Sequence, residues 1–176
     1  MTESFLGDHT DYSGLDAPMF NGAAVSAIRG YCGWHIAPSL ELSGRVGSAG
    51  GKIIRIPALN VTEVTKLALA DGTDLLDGAQ WNADGLIELA VPVEPCLSGI
   101  EYTVTAGFNP DDVPDLIAVA LQVSRRAASA PAGTVRSQSV NGASVSYAFS
   151  GSGATSVQLM QDEREILDRY RIARLP

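Results

Sequence analysis

Apolar positions near the start of the chain recur every three or four residues, which is the spacing of one face of an α-helix. Gly30 and Gly33 favour the end of this helix, because glycine adopts left-handed backbone angles at little cost. Pro38 then favours an extended path. The first twenty or so residues are polar and rich in glycine, and they predict a loose N-terminal arm. The apolar face of the predicted short helix consists of Ala23, Ala24, Ala27, Ile28 and Tyr31.

From residue 39 to residue 108 the apolar period changes to two, as in strands with one buried face. Short runs rich in β-branched residues alternate with turn sequences such as Asp71-Gly72 and Asn82-Ala-Asp-Gly85. Closely spaced strands joined by such turns predict an antiparallel meander. We also predict a flexible loop at residues 47–51. The predicted strands contain Ile54 and Ile56 and residues 61–69, 75–81, 86–91 and 102–105, while Leu40 and Leu42 allow an edge strand.

The helical pattern returns after residue 109. The run Asp112-Val-Pro-Asp115 supplies a capping side chain, a proline for the first turn and an acid near the positive end of the helix dipole. We therefore predict a helix over residues 113–129. Asn141-Gly142 is a strong two-residue turn signal and predicts a β-hairpin at residues 135–149. The serine-rich arms of this hairpin could pair with a neighbouring subunit.

The last segment begins with a linker-like composition at residues 150–154. The run Thr155-Ser-Val-Gln158 resembles a capping box and predicts a final helix over residues 156–175. This helix carries acids early and arginines late, which matches the helix dipole. A glycine-rich hinge before a self-capped helix predicts an arm that can dock away from its own core.

These patterns together predict an α+β fold. Its helical core consists of the short N-terminal helix, the helix at 113–129 and the C-terminal helix. An antiparallel β-rich insertion at 39–108 and the hairpin at 135–149 complete it. We divide this single domain into an N-terminal arm with the short helix (1–38), the insertion (39–108), and a part with helix, hairpin and hinged C-terminal helix (109–176).

Charge is distributed unevenly along the 176 residues, whose formal net charge is −8. Residues 1–120 hold five Lys or Arg against sixteen Asp or Glu, whereas residues 121–176 hold seven arginines against four acids. The acidic total argues against generic nucleic-acid binding, which needs a basic surface. The sequence shows neither a signal peptide nor a membrane-spanning run, so we expect a soluble protein made inside a cell.

Candidate chemistry is sparse. Cys32 and His35 could form a thiolate nucleophile and its base, but no orienting third group is evident. His9 and Asp11 are two candidate metal ligands without a convincing third. The two cysteines are too few for a disulfide framework or a cysteine zinc site. We predict no catalytic, cofactor or metal site, and we interpret the stretch CGWHIAP at residues 32–38 as a structural joint that contains Trp34, His35 and Pro38.

The order of segments resembles the head-to-tail adaptor (connector) proteins of long-tailed actinobacterial, mycobacteriophage-like phages. The resemblance covers most of the chain from about residue 23. It rests most specifically on GWHIAP at residues 33–38 and on a terminal E-x-x-x-L-x-x-Y-R pattern, which begins at Glu163 and ends at Arg171. The segment TAGFNPDDVPDLIAVALQVSRRAAS and the hairpin with RSQSVNGASVSYAF also follow the order of the family.

The resemblance implies a non-enzymatic virion protein of the phage neck, made in the bacterial host cytoplasm. It implies a homo-oligomeric ring, expected to be a dodecamer, beneath the portal protein. This ring extends the DNA channel and joins the portal to the stopper or another tail connector protein. DNA passes through without sequence-specific binding, and no cofactor or membrane is involved. The portal-docking candidates are Glu163, Leu167, Tyr170, Arg171 and Arg174.

Three alternative functions remain open at the level of sequence. A head-to-tail stopper or tail-terminator protein also forms rings, but its subunits are usually dominated by a β-barrel. A hydrolase or lyase could use Cys32 and His35. A β-rich ligand-binding module could be built on residues 39–108, where Trp81 and Tyr102 are the clear aromatic candidates.

Overall fold

The computed structural model describes Leu6 and residues 17–129, 137–140, 143–146 and 157–172. The described chain contains both helices and antiparallel sheets, so the α+β class is confirmed. Three α-helices are described: α1 (Ala17–Cys32), α2 (Pro114–Ser129) and α3 (Gln161–Leu167). Short 3₁₀ helices occur at Pro110–Asp112 and Asp168–Tyr170. None of the described helices is both long enough and apolar enough to cross a membrane.

The eight described strands form three sheets. One sheet has the order β1-β6-β3 and the second has the order β2-β5-β4, while β7 and β8 form a separate two-stranded sheet. The pairing in all three sheets is antiparallel. The strands are β1 (Leu40–Ser48), β2 (Gly51–Arg55), β3 (Val61–Leu69), β4 (Gln80–Trp81), β5 (Leu86–Val93), β6 (Cys96–Ala106), β7 (Ser137–Val140) and β8 (Ala143–Ser146).

The prediction of a meander is wrong for the insertion. The first strand pairs with the last, so that Leu40 lies opposite Ala106, and β3 pairs with the other edge of the same last strand. An alternating pattern shows which face of a strand is buried, but it does not show which strand lies beside it. The chain therefore enters and leaves the insertion at the same place, and residues 38 and 107 lie close together.

Two further predicted elements differ in their bounds from the structure. The loop predicted over residues 47–51 shrinks to residues 49–50, because β1 continues to Ser48 and β2 starts at Gly51. The strand predicted over residues 75–81 shrinks to Gln80–Trp81. Side chains of Asp71 and Asp74 accept hydrogen bonds from the amides two residues ahead, so this stretch satisfies its backbone through turns.

The ends of the chain differ from prediction as well. Helix α1 begins at Ala17, earlier than its apolar stripe indicates, and Leu6 in the predicted loose arm is fully buried. The final helix is shorter than predicted and begins at Gln161, although residues 155–156 and 173–176 lie outside the described part of the chain. The predicted helix at 113–129 is confirmed as α2, which begins at Pro114. The hairpin is confirmed where it is described, by the pairing of Val140 with Ala143, while residues 135–136, 141–142 and 147–149 of the prediction lie outside the described residues.

Both three-stranded sheets and the three helices contribute to one buried hydrophobic cluster. Strand β6 alternates between buried and more exposed residues along its second half, as a half-buried strand should. Helices α1 and α2 are also joined by a buried polar contact, in which the Ser124 hydroxyl donates to the Asn21 amide oxygen at 2.6 Å. The remaining buried residues of these helices include Val25, Ile28, Leu116, Val119, Ala120 and Val123.

Candidate functional site at the joint

The joint, residues Gly33–Pro38, is where the chain leaves α1 and enters the sheets. Ile36 has a positive φ of 70° although it is fully buried, and the Ala37–Pro38 peptide bond is cis. The Arg29 side chain holds this path by donating from Nε to the His35 carbonyl (2.8 Å) and from Nη2 to the Ala37 carbonyl (2.7 Å). The backbone carbonyls of this irregular stretch thus find their hydrogen-bond donor in Arg29, a side chain of the last turn of α1.

His35 completes the joint by a local contact. Its Nε2 lies 2.7 Å from the Pro38 carbonyl oxygen, which can only accept, so Nε2 carries the proton. Nε2 is therefore engaged in a hydrogen bond within the joint itself. The geometry gives His35 a structural role across the joint.

The exit from the sheets lies against their entrance. The Phe108 amide donates to the Ile36 carbonyl at 2.8 Å, and the Asn60 side-chain amide donates to the Gly107 carbonyl at 2.7 Å. Gly107 has a φ of 116°, and a Cβ at this position would lie 2.7 Å from the Pro38 carbonyl oxygen. The two ends of the insertion can approach this closely only because residue 107 has no side chain.

An aromatic cluster, formed by Trp34, Phe108 and Tyr170, joins the C-terminal segment to this site. The Trp34 and Phe108 ring centroids are 6.1 Å apart, and those of Phe108 and Tyr170 are 5.5 Å apart, both in edge-to-face geometry. The Trp34 indole also donates from Nε1 to the Tyr170 carbonyl at 2.6 Å. Trp34 and Tyr170 are 7% and 6% exposed, so the cluster is part of the subunit interior.

The C-terminal segment makes further contacts with both long helices. The Ile172 amide donates to the Cys32 carbonyl at 3.0 Å, and it thereby provides a partner at the open end of α1. The Tyr170 hydroxyl donates to Asp115 Oδ1 at 2.7 Å, in the first turn of α2. Burial first, and then the hydrogen bond and charge of Asp115, raise the pKa of Tyr170 to about 12. Tyr170 is therefore a neutral donor at neutral pH.

The start of α3 is held by an ion pair. Arg126 donates to Glu163 through both terminal nitrogens, at 2.7 and 2.9 Å, and to the Gln158 carbonyl at 2.8 Å. The Glu163 carboxylate also accepts from the Met160 amide at 2.7 Å, which is one half of a capping box. Burial alone would raise the pKa of Glu163, but these hydrogen bonds and the Arg126 charge outweigh it, so that the pKa lies below its usual 4.5.

We expect this ion pair to make the subunit less stable in acid. A carboxyl with a lowered folded-state pKa contributes stability above pH 4.5, and this contribution is lost as the pH falls through the folded value. Glu163→Gln should cost about 1–3 kcal/mol of unfolding free energy near neutral pH and less in acid. The measurement is urea unfolding of wild type and variant across the pH range.

Glu165→Gln is the matched control, because Glu165 lies in the same helix, is exposed and contacts only the Gln161 side chain among the described groups. It should change the unfolding free energy by no more than about 0.5 kcal/mol. Equal effects of the two substitutions at every pH would show that the Arg126–Glu163 pair does not hold α3.

The predicted docking residues do not share one environment. Glu163, Leu167 and Tyr170 are 5%, 0% and 6% exposed, and they pack on their own subunit. In the described chain the apolar stripe of this helix packs against α1, α2 and the joint of its own subunit. Docking of the C-terminal segment on another chain stays a prediction. Arg171 is on the surface, 5.2 Å from the Tyr31 ring, and Arg174 lies outside the described residues.

Several residues at this site carry no signal that would identify them in the sequence. Arg29 and Arg126 look like ordinary cations in the last turn of a helix, but each binds backbone carbonyls of another segment. Phe108 follows the last strand and shows no periodicity. Its position directly after Gly107 is the one available hint, because a glycine at a strand end often marks close backbone approach.

Cys32 does not have the properties of a nucleophile. Its side chain is 1% exposed and its thiol donates to the Leu167 carbonyl at 3.7 Å. Burial above all raises the pKa of Cys32 to about 12. The charge of Arg171 lowers this pKa by a smaller amount, and the charge of Asp168 raises it further. The thiolate required for nucleophilic attack is therefore scarce at neutral pH.

We expect Cys32 to react slowly with a maleimide reagent in the native protein and rapidly after unfolding in urea. The Cys96→Ser variant isolates the reaction, since Cys96 is partly exposed and would otherwise react first. Mass spectrometry of the labelled peptide measures the rate at each residue. Fast labelling of Cys32 in the folded chain would instead favour the enzymatic alternative.

The fold of the whole chain is similar to chains in solved gene transfer agent (GTA) particles. One match is in the neck of the native GTA particle computed with C12 symmetry, with a TM-score of 0.55 and 19% identity, over 97% of this chain and 88% of that chain. The chain shares the fold of a gene transfer agent neck component. A second match is in the neck of the empty particle computed with C6 symmetry, with a TM-score of 0.55, 20% identity and the same coverage.

A third match is in the virion of the native particle, with a TM-score of 0.53 and 19% identity, over 99% of this chain and 89% of that chain. No family model matches the sequence, and no curated protein matches it. At about one identical residue in five, these matches show a similar fold over almost the whole chain.

Proposed function

We propose that this protein is a structural component of the neck of a tailed, phage-like particle, where it acts as the head-to-tail adaptor. The observation that carries the proposal is the fold likeness to a chain of a gene transfer agent neck, which extends over 97% of this chain. The order of helix, GWHIAP joint, insertion, helix, hairpin and C-terminal segment supports an origin in the long-tailed actinobacterial phages.

The adaptor assembles as a homo-oligomeric ring with twelve copies. A similar chain occurs in a neck computed with C12 symmetry, and another occurs in a neck computed with C6 symmetry. A head-to-tail ring needs two different complementary faces on each subunit. Its subunits extend the channel through which DNA leaves the head.

The C-terminal segment is the part that docks on the portal protein. Its exposed end, with Arg171 and then Arg174, contacts the portal, because guanidinium groups are suited to carboxylates and backbone carbonyls of a partner. Glu163, Leu167 and Tyr170 hold this end in position from inside the subunit. The remaining surface of the ring contacts the stopper or another tail connector protein.

The wall of the channel is acidic in this proposal. Residues 1–120 carry a net charge of −11, and a negative wall would let DNA pass without binding it. The burial and high pKa of Cys32 support a structural and not a catalytic role for the CGWH stretch.

Electron microscopy of particles that contain this protein tests the proposal. The expected result is a ring of twelve copies between portal and tail, with a net acidic inner surface. Arg171→Glu should reduce the number of tailed particles, whereas Lys52→Glu, a charge reversal in strand β2, should not. Density for this chain at the capsid surface or the tail tip would contradict the proposal, as would a basic inner surface for the proposed channel.

A further inference from the structure

The hairpin of β7 and β8 is set apart from the other strands. Among the described strands these two pair only with each other. Ser137 lies opposite Ser146 at one end of the hairpin, and Val140 lies opposite Ala143 at the other. Each therefore has one edge whose backbone amides and carbonyls have no strand beside them within the described sheets. A two-stranded hairpin alone is only marginally stable in water, so a third strand beside it adds stability.

The sequence of the hairpin lacks the features that normally protect such edges. Proteins usually place charged side chains or proline on an open edge strand, and these prevent pairing with other chains. The strands Ser137–Val140 and Ala143–Ser146 contain neither a charged residue nor a proline, and the nearest charge in the sequence is Arg136, directly before β7. Identical copies of these strands can therefore lie side by side without like charges facing each other.

We infer that the hairpins of adjacent subunits pair edge to edge, with β8 of one copy beside β7 of the next. This inference rests on the proposed ring. Rotation about the ring axis preserves the direction of strands that run along it, and β7 and β8 are antiparallel, so β8 and the next β7 are also antiparallel. Each added copy continues the regular antiparallel order, and a closed ring leaves no open edge.

The dimensions suit a DNA channel. Twelve copies of a two-stranded hairpin supply twenty-four strands. At about 4.8 Å between strands, these form a collar with a circumference of about 115 Å and a diameter of about 37 Å, or more if the strands tilt. This opening is wider than duplex DNA, and strands β7 and β8 contain no cation that could hold the phosphates.

Cysteine cross-linking in assembled particles tests this inference. Single cysteines are placed at residues 137–140 in one set of subunits and at residues 143–146 in a second set, and one variant from each set is co-expressed. Side chains opposite each other on paired strands have Cβ atoms about 4.5–5.5 Å apart, close to disulfide geometry, so mild oxidation should yield covalent dimers. Wild-type particles oxidised in parallel correct for Cys32 and Cys96.

The expected result is dimers from mixed pairs that follow a single antiparallel register, and none above background from either set alone. Like strands of adjacent copies would lie about 9.6 Å apart, two strand spacings, which is too far for a disulfide. Rings that are intact by electron microscopy but give no dimers from any mixed pair would overturn the inference and leave the proposed function standing. Dimers from one set alone would overturn it too, and particles with no ring would overturn both proposals.

Discussion

Replacing Trp34 by alanine should lower the free energy of unfolding by about 3–5 kcal/mol, the range for removing a buried aromatic side chain. The substitution removes the ring that packs against Phe108 and leaves the Tyr170 carbonyl without its indole donor. Since this donor links the joint to the C-terminal segment, residues 157–172 should also become sensitive to protease at concentrations that leave the wild type intact. Urea unfolding and limited proteolysis measure the two effects.

Two further variants separate the contributions of Trp34. Trp34→Phe keeps an aromatic ring beside Phe108 but removes the hydrogen bond, and it should cost about 1–3 kcal/mol. Trp81→Ala is the matched control, because Trp81 is 39% exposed in the short edge strand β4. It should cost less than half as much and leave the C-terminal segment protected. Similar losses for Trp34→Ala and Trp81→Ala would contradict the assignment of Trp34 as the packing anchor of the joint.

Gly107→Ala should destabilise the protein by at least about 2–4 kcal/mol, because strained backbone and steric overlap act together. The φ of 116° disfavours any side chain, and the new Cβ would lie 2.7 Å from the Pro38 carbonyl and 3.2 Å from the Ile36 carbonyl. Both obstacles are backbone atoms, which cannot move aside as a flexible side chain can. The two ends of the insertion would have to separate, and thermal unfolding of the variant measures the cost.

Gly22→Ala is the opposite case and serves as its control. Gly22 lies inside α1, and a Cβ there would meet no atom within 4 Å. Alanine should therefore stabilise the helix by about 0.5–1 kcal/mol. A neutral result for Gly107→Ala would contradict the path of the backbone at the joint, and destabilisation by Gly22→Ala would contradict the open space beside that position of α1.

The candidate site shows how far local patterns reach. Trp34, His35 and Pro38 stand out in the sequence because they follow a helix and precede a run of strands. The residues that hold them, Arg29 and Phe108, show no such pattern. The hydrogen bond between Trp34 and Tyr170 joins positions 136 residues apart. No property of either local segment indicates that contact.

The C-terminal helix is the clearest case in which local information was misleading. Its linker, its early acids and its apolar stripe indicate a helix that can dock on any suitable surface. The structure places Leu167 and Tyr170 inside the same subunit, against α1 and α2. An amphipathic stripe shows that a helix needs a partner, but the partner depends on which other surfaces the fold leaves open.

The sequence by itself determined the α+β class, a helix close to residues 113–129, the β-rich middle and the hairpin, because turn residues and apolar periods act within a few neighbouring residues. Only the tertiary structure decided that β1 pairs with β6, that the insertion closes at Gly107, and that the C-terminal segment completes the joint. Those features depend on packing and hydrogen bonds between segments distant in sequence. Periodicity records that a face is buried, but not the surface against which it is buried.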